Sequence, residues 1–367
     1  MDNSIRESGK RILLLRPSTD LNPPKTVKLL IVIALLIGTP LSLFAQSPDS
    51  DPPPSPLALP LYESEAFTER VLQAYADPEA AREEAAAFYQ NANAVGDNLG
   101  MAQAKYIAAI TYAGAEDTVN MRAELVSGRS LINEADHTLL YVDTVQAIGA
   151  SYGNEGRLIE AVEHFSNALE ISERYNHKPA ILRSQYLMGE LFITVYDYES
   201  AVEYLEPVVN DLELAEHTRP WATFSLAKAY LRTNRIEEAL PLYEEAVATA
   251  PHIYARSVYL ADYARILIEI NRLDDAEASS QEALALAERL GNRGRICEAR
   301  FLLAITALER NDPDETLRFI GSNECEFDKF ADMIRPIVKV DWLPTIIRAR
   351  LALGQTEAAL GDFEQLL

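Results

Sequence analysis

From residue 140 to 290 small and aromatic apolar positions recur at helical spacing, and the whole arrangement repeats about every 40 residues. One unit carries Ile148, Gly149, Tyr152, Ala161, Phe165 and Ala168, and the next carries Met188, Gly189, Phe192, Ala201 and Leu205. The pattern returns as Leu226, Ala227, Tyr230, Ala239, Tyr243, Ala246 and Pro251, then as Ala264, Leu267, Ala276 and Ala283. Polar turns interrupt each unit at Asn154 to Arg157, at Tyr196 to Tyr198, at Asn234 and at Asn271, as helix-ending turns should. The small residue of the second helix serves as a ruler: Ala81, Met121, Ala161, Ala201, Ala239, Ala276, Thr316 and Ala359 stand 37 to 43 residues apart. Eight helical hairpins are predicted, with weaker versions of the pattern in the first two and last two. Asp77, Pro78 and Glu79, and likewise Asp312 to Glu315, place acids and a proline where a helix starts. Each hairpin buries its apolar face only against its neighbours, so the expected fold is an all-α solenoid.

The unit resembles the tetratricopeptide repeat (TPR). That family pairs a first helix of large-Leu-Gly-x-x-Tyr character with a second helix of Ala-x-x-x-Phe-x-x-Ala, often closed by proline. The resemblance covers residues 62–367 and is sharpest in Gly149, Tyr152, Ala161, Phe165 and Ala168, and in Ala227, Tyr230, Ala239, Tyr243, Ala246 and Pro251. It implies a right-handed superhelix of antiparallel hairpins. Units longer than the family's ~34 residues imply longer helices, as in the superhelical variety found in maltose-regulator-like and sensor proteins.

The N-terminus changes the picture of where such a scaffold works. Residues 29–38 (LLIVIALLIG) form an unbroken apolar run behind Lys25 and Lys28, with Ala45 as a small residue at a cleavage point. This reads as an N-terminal extension plus secretory signal over residues 1–45, and the run is too short for the ~20 residues of a spanning helix. An uncleaved anchor is the alternative, because Leu43 is bulky for its place. A start at Val27 would remove the unusually long leader. Residues 46–61, rich in proline, read as a linker, and 62–367 as the repeat array. The array is expected to end within a hairpin, with Phe363, Leu366 and Leu367 uncapped, which suggests either a docking surface or a truncated reading frame.

The net charge is −23, and removal of residues 1–45, with six basic and three acidic side chains, takes it to −26. Nucleic acid and anionic membranes are therefore poor partners. The five histidines, His137, His164, His177, His217 and His252, are scattered without metal-ligand spacing, and no phosphate loop or nucleophile elbow occurs. No cofactor, metal site or catalytic residue is expected, and the chain reads as a non-enzyme. Cys297 and Cys325 stand at the same end of one predicted hairpin, where an exported compartment would permit a disulfide; two free thiols are the alternative.

By the family's pattern the concave wall of first helices holds Arg183, Tyr186, Trp221, Phe224, Lys228, Arg232, Arg265 and Phe301. Aromatics interleaved with cations suit a binding groove for a protein or anionic peptide. The alternative is that the rings pack between neighbouring helices while the cations pair with acids. The expected function is an exported, periplasmic protein-interaction scaffold. The second reading is a periplasmic sensory input region of a signalling protein such as a TPR-containing diguanylate cyclase.

Overall fold

The computed structural model describes residues 60–62, 64–113, 117–211, 218–320 and 336–366, with side chains of 336–342 and 364–366 left aside. The expected signal segment, nearly all of the expected linker, His217, Cys325 and Leu367 lie outside the described residues. Among the described residues sixteen helices and no strand are found. In chain order they are α1 (Glu65–Ala76), α2 (Pro78–Val95), α3 (Asn98–Ile110), α4 (Thr118–Arg129), α5 (Thr138–Asn154), α6 (Leu158–Arg174), α7 (Lys178–Thr194) and α8 (Tyr198–Asn210). There follow α9 (Arg219–Arg232), α10 (Ile236–Ala248), α11 (Ile253–Glu269), α12 (Leu273–Arg289), α13 (Arg293–Glu309), α14 (Pro313–Ile320), α15 (Pro336–Ala352) and α16 (Thr356–Leu366). They pair in sequence as antiparallel hairpins, and the expected all-α solenoid is the fold observed.

The eight ruler residues, Ala81 through Ala359, are all buried, so the 37-to-43-residue register is a packing register. Gly149 and Gly189 show why small residues are needed on the first helix as well. A β-carbon on Gly149 would sit 2.7 Å from the Phe165 ring, and one on Gly189 would sit 2.5 Å from Leu205. The paired helices approach so closely that the second helix's large side chain rests on the first helix's backbone.

The turns follow one rule. At Gly156, Tyr196, Asn234, Asn271, Asn311 and Gly354 the chain enters the left-handed region, and the next residue's N–H returns to a carbonyl five positions back. Arg157 to Tyr152, Asp197 to Phe192 and Arg235 to Tyr230 are three examples, at 2.9, 3.0 and 2.8 Å. This closure satisfies the carbonyls that a helix end leaves open. Asp77, Asp97, Asp117 and Asp197 cap the next helix through their carboxylates. Acids also occupy the first turns of second helices, Glu237 with Glu238 and Asp274 with Asp275.

Arginine stacks on the recurring tyrosines: Arg82 on Tyr112, Arg122 and Arg157 on Tyr152, and Arg235 on Tyr230, at 3.8 to 4.5 Å from the ring centres. First helices of most neighbouring hairpins pack on one another, α1 on α3, α5 on α7, α7 on α9, α11 on α13 and α13 on α15, whereas no two described second helices of neighbouring hairpins come as close. The array therefore curves with its first helices inside. No described helix is long and apolar enough to cross a membrane.

Candidate binding wall on the first helices

The inner wall is built from seams between successive first helices, and the sequence sets what each seam contains. Asp143 and Arg183 stand six residues before Gly149 and Gly189, so stacking the hairpins places them side by side. An Arg183 Nη donates to Asp143 Oδ1, and its Nε donates to Gln146 Oε1 at 2.7 Å. Gln146 in turn donates to the Ser184 hydroxyl at 2.8 Å, and that hydroxyl donates to the Ala180 carbonyl. Both charges are buried, with Asp143 0% and Arg183 3% exposed. Such burial is tolerable only because every charged atom finds a partner.

Between α7 and α9 the charged member is the half-buried Glu190. Burial raises its pKa above the ordinary carboxylate value, while the Ser225 hydrogen bond and the Lys228 charge pull it down. Tyr186 lies beside it, 3% exposed, and burial pushes its hydroxyl pKa well up.

The α9–α11 seam is aromatic. Phe224 stacks on Tyr259 with ring centres 4.2 Å apart, and its face meets Tyr243 edge-on at 5.7 Å. Trp221 meets Tyr259 edge-on at 5.8 Å and His252 at 5.9 Å. His252 caps α11 by accepting the Ala255 N–H at its Nδ1, and burial lowers its pKa. The last fully described seam is ionic again. Glu298 accepts from Arg265 at 3.4 Å across the helices and from Arg295 at 2.6 Å within α13.

These seams correct part of the groove expected from sequence. Arg183, Tyr186 and Phe301 do not face outward; Phe301 is 0% exposed and packs with Cys297, Ala304 and Ile320. Close stacking of first helices converts what a single unit would display into helix-to-helix contact. Trp221, Phe224, Lys228 and Arg265 are half-buried, and Arg232 is exposed. The reading in which aromatics pack between first helices and cations pair with acids describes Trp221, Phe224, Arg183 and Arg265. What the wall offers at its surface is Arg232, with the half-buried Lys228, Trp221 and Phe224 beside it.

Asp143 escaped the sequence reading although its signal was there: it occupies in one unit the position Arg183 occupies in the next, with opposite charge. Its role is larger than the ion pair, because the backbone N–H groups of Leu61 and Tyr62 also donate to its two carboxylate oxygens, each at 3.0 Å. Cys297 is buried and disulfide-bonded. Among the described residues no group of three or more His, Cys, Asp or Glu side chains converges as a metal site would require.

Comparison with known proteins places this geometry. A comparison with the curated proteins gave no match. Among solved structures, the apo form of the quorum sensor NprR from B. thuringiensis superposes with a TM-score of 0.60 at 12% identity, over 83% of this chain and 88% of that one. A Rap protein complexed with competence and sporulation factor gives 0.56 at 12% identity, over 82% and 84%. A STAND protein with a tetratricopeptide repeat sensor from Pyrococcus horikoshii gives 0.57 at 12% identity, over 94% of this chain and 53% of that one. These likenesses are of fold. The family of MalT-like TPR regions matches residues 143–367, more than half of the chain. With the hairpins, the small-residue register and the inner wall of first helices all in place over that stretch, the chain belongs to the MalT-like TPR family.

Proposed function

We propose that this chain is an exported scaffold that binds a protein or peptide partner through the inner wall of its first helices. The observation that carries the reading is the strip of exposed Arg232 and half-buried Lys228, Phe224 and Trp221 along α9, set in a chain whose net charge is −23. Local cations on an acidic molecule attract an anionic segment, and rigid aromatic edges beside them supply the contact area of a binding hot spot. Export rests on the apolar run at residues 29–38 and on Ala45. An oxidising destination also suits a disulfide of Cys297 with Cys325, the chain's other cysteine.

The test is affinity capture from the compartment where the chain resides, comparing wild type with Trp221→Ala/Lys228→Ala/Arg232→Ala. A partner lost by the variant, with its helical content and Tm retained, supports the wall. A partner held equally by both places the interaction elsewhere. N-terminal sequencing of the purified chain tests export, with Gln46 as the expected first residue.

The second reading is a sensory input region. It draws on the structural neighbours, which include a quorum sensor, a Rap protein in complex with a factor, and a protein with a TPR sensor. Co-purification of a signalling enzyme whose rate changes with occupancy of the wall would favour it over a plain scaffold.

A further inference from the structure

The wall is already occupied at one end by the chain itself. Ahead of α1, residues 60–62 cross to α5 of the third hairpin, and their contacts are those of a bound peptide. Leu61 and Tyr62 donate consecutive backbone N–H groups to the two oxygens of Asp143, at 3.0 Å each. Leu61 packs at the side-chain cluster formed by Val142, Val145, Ala168, Ile171 and Ala180. Tyr62 meets Phe67 edge-on at 5.5 Å, and its carbonyl accepts the Ser64 N–H as the chain turns into α1.

The groove side of this contact is held rigid independently of the segment. Arg183, from the next first helix, fixes Asp143, and Gln146 and Ser184 fix Arg183. A carboxylate oriented in this way reads backbone rather than side chains. It takes any segment whose backbone bends to turn two successive amide N–H groups to the same side, as residues 61 and 62 do, with an apolar side chain on the first of them. Proline at 60 fixes its own φ at about −65°, which suits the entry to such a bend.

We propose that residues 60–62 are an internal occupant of a backbone-reading peptide site formed by Asp143 and Arg183, so that a peptide bent to present two successive N–H groups gains this end of the wall only by displacing them. The inference deepens the peptide-binding reading above and rests on it for its biological meaning, but the site and its occupant can be tested without any external partner. A tethered segment competes at an effective concentration in the millimolar range, which outweighs a free peptide at micromolar concentration.

The experiment uses the full chain and a fluorescent synthetic peptide of residues 56–66. Binding is measured by anisotropy to wild type and to Leu61→Pro/Tyr62→Pro, which removes both donors from the tethered segment and leaves the groove untouched. The unseated variant should bind the peptide at least about tenfold more tightly than wild type. A peptide N-methylated at the amides of Leu61 and Tyr62 should lose that binding. Equal binding by both proteins, no binding by a folded unseated variant, or undiminished binding of the methylated peptide would each overturn the proposal. Should the proline variant fail to fold, hydrogen exchange on the wild-type chain decides: protected amides at Leu61 and Tyr62 are expected, and exchange at the rate of an unstructured chain overturns the proposal. Failure of the affinity capture above, with success here, would remove the external partner and leave the internal site standing.

Discussion

Single residues carry their weight in this array through how close they let helices come. Gly149 lies in the middle of α5, where alanine ordinarily stabilises a helix by about 1 kcal/mol over glycine. Here the added methyl would stand 2.7 to 2.8 Å from two atoms of the buried Phe165 ring. Overpacking of this kind costs about 1–3 kcal/mol, so Gly149→Ala is expected to destabilise by about 1 kcal/mol net, against its helix propensity. Urea unfolding checks it, and a rise in midpoint would show that α5 and α6 can spread at no cost. Glu190 makes a second case, electrostatic instead of steric. Its folded pKa is raised above 4.5, chiefly by burial, so the folded state holds a proton more tightly than the unfolded chain does. Stability contributed by this group is therefore greatest at low pH and falls as pH rises from about 4.5 through the raised folded value. Glu190→Gln should remove that fall, leaving the variant more stable than wild type at neutral pH and the difference shrinking towards acid. Tm measured for both proteins from pH 4 to 8 reads the sign directly.

At the scale of the helix, the turns explain what a reader of the sequence can and cannot see. Five of the six described left-handed turn positions within hairpins are glycine or asparagine, which tolerate that conformation, and so the hairpin breaks were legible. Tyr196 is the exception, at φ 62° and 64% exposed. An ordinary L-residue in that region costs about 1–2 kcal/mol, offset in part by an edge contact with Tyr198 of about 0.5 kcal/mol. Tyr196→Asn should stabilise the chain by up to about 1 kcal/mol and raise Tm by about 1–3 °C; a fall in Tm would mean that the tyrosine pair contributes more than the backbone strain. The elements themselves were readable for the same local reason: the small-residue register, the capping aspartates and the proline starts act within one hairpin. The seams were not, because they join residues about 40 apart. A unit taken alone displays Tyr186 and Phe301 on its inner face, and nothing within the unit says that the next first helix will cover them. Asp143 with Arg183 is the instructive pair, since opposite charges at one register position in successive units do announce a seam to a reader who lays the units side by side. The crossing of residues 60–62 to α5 had no such signal; it is a contact of chain order, visible only once the hairpins are stacked.

For the whole molecule, stability is a sum over neighbours, because each hairpin touches only those beside it. Interior hairpins from α5 to α12 are covered on both sides by described helices, and their seams carry the buried ion pair, the aromatic stack and the arginine-on-tyrosine contacts. The described face of the last hairpin is different: Leu351, Leu360 and Phe363 are 54%, 58% and 47% exposed. Apolar side chains left this exposed make few buried contacts, so this hairpin should open more easily than the interior ones instead of together with them. Native-state hydrogen exchange is expected to show amides of α15 and α16 exchanging at least about tenfold faster than those of α7 to α11, corresponding to roughly 1.4 kcal/mol or more between local openings. The first hairpin should be held more firmly, because Leu61 and Tyr62 tie its entry to the third hairpin through Asp143. Asp143→Asn should therefore speed exchange in α1 and α2 while leaving α11 and α12 unchanged. Uniform protection along the chain, or an effect of Asp143→Asn that reaches α11, would show instead that the array opens as one cooperative body.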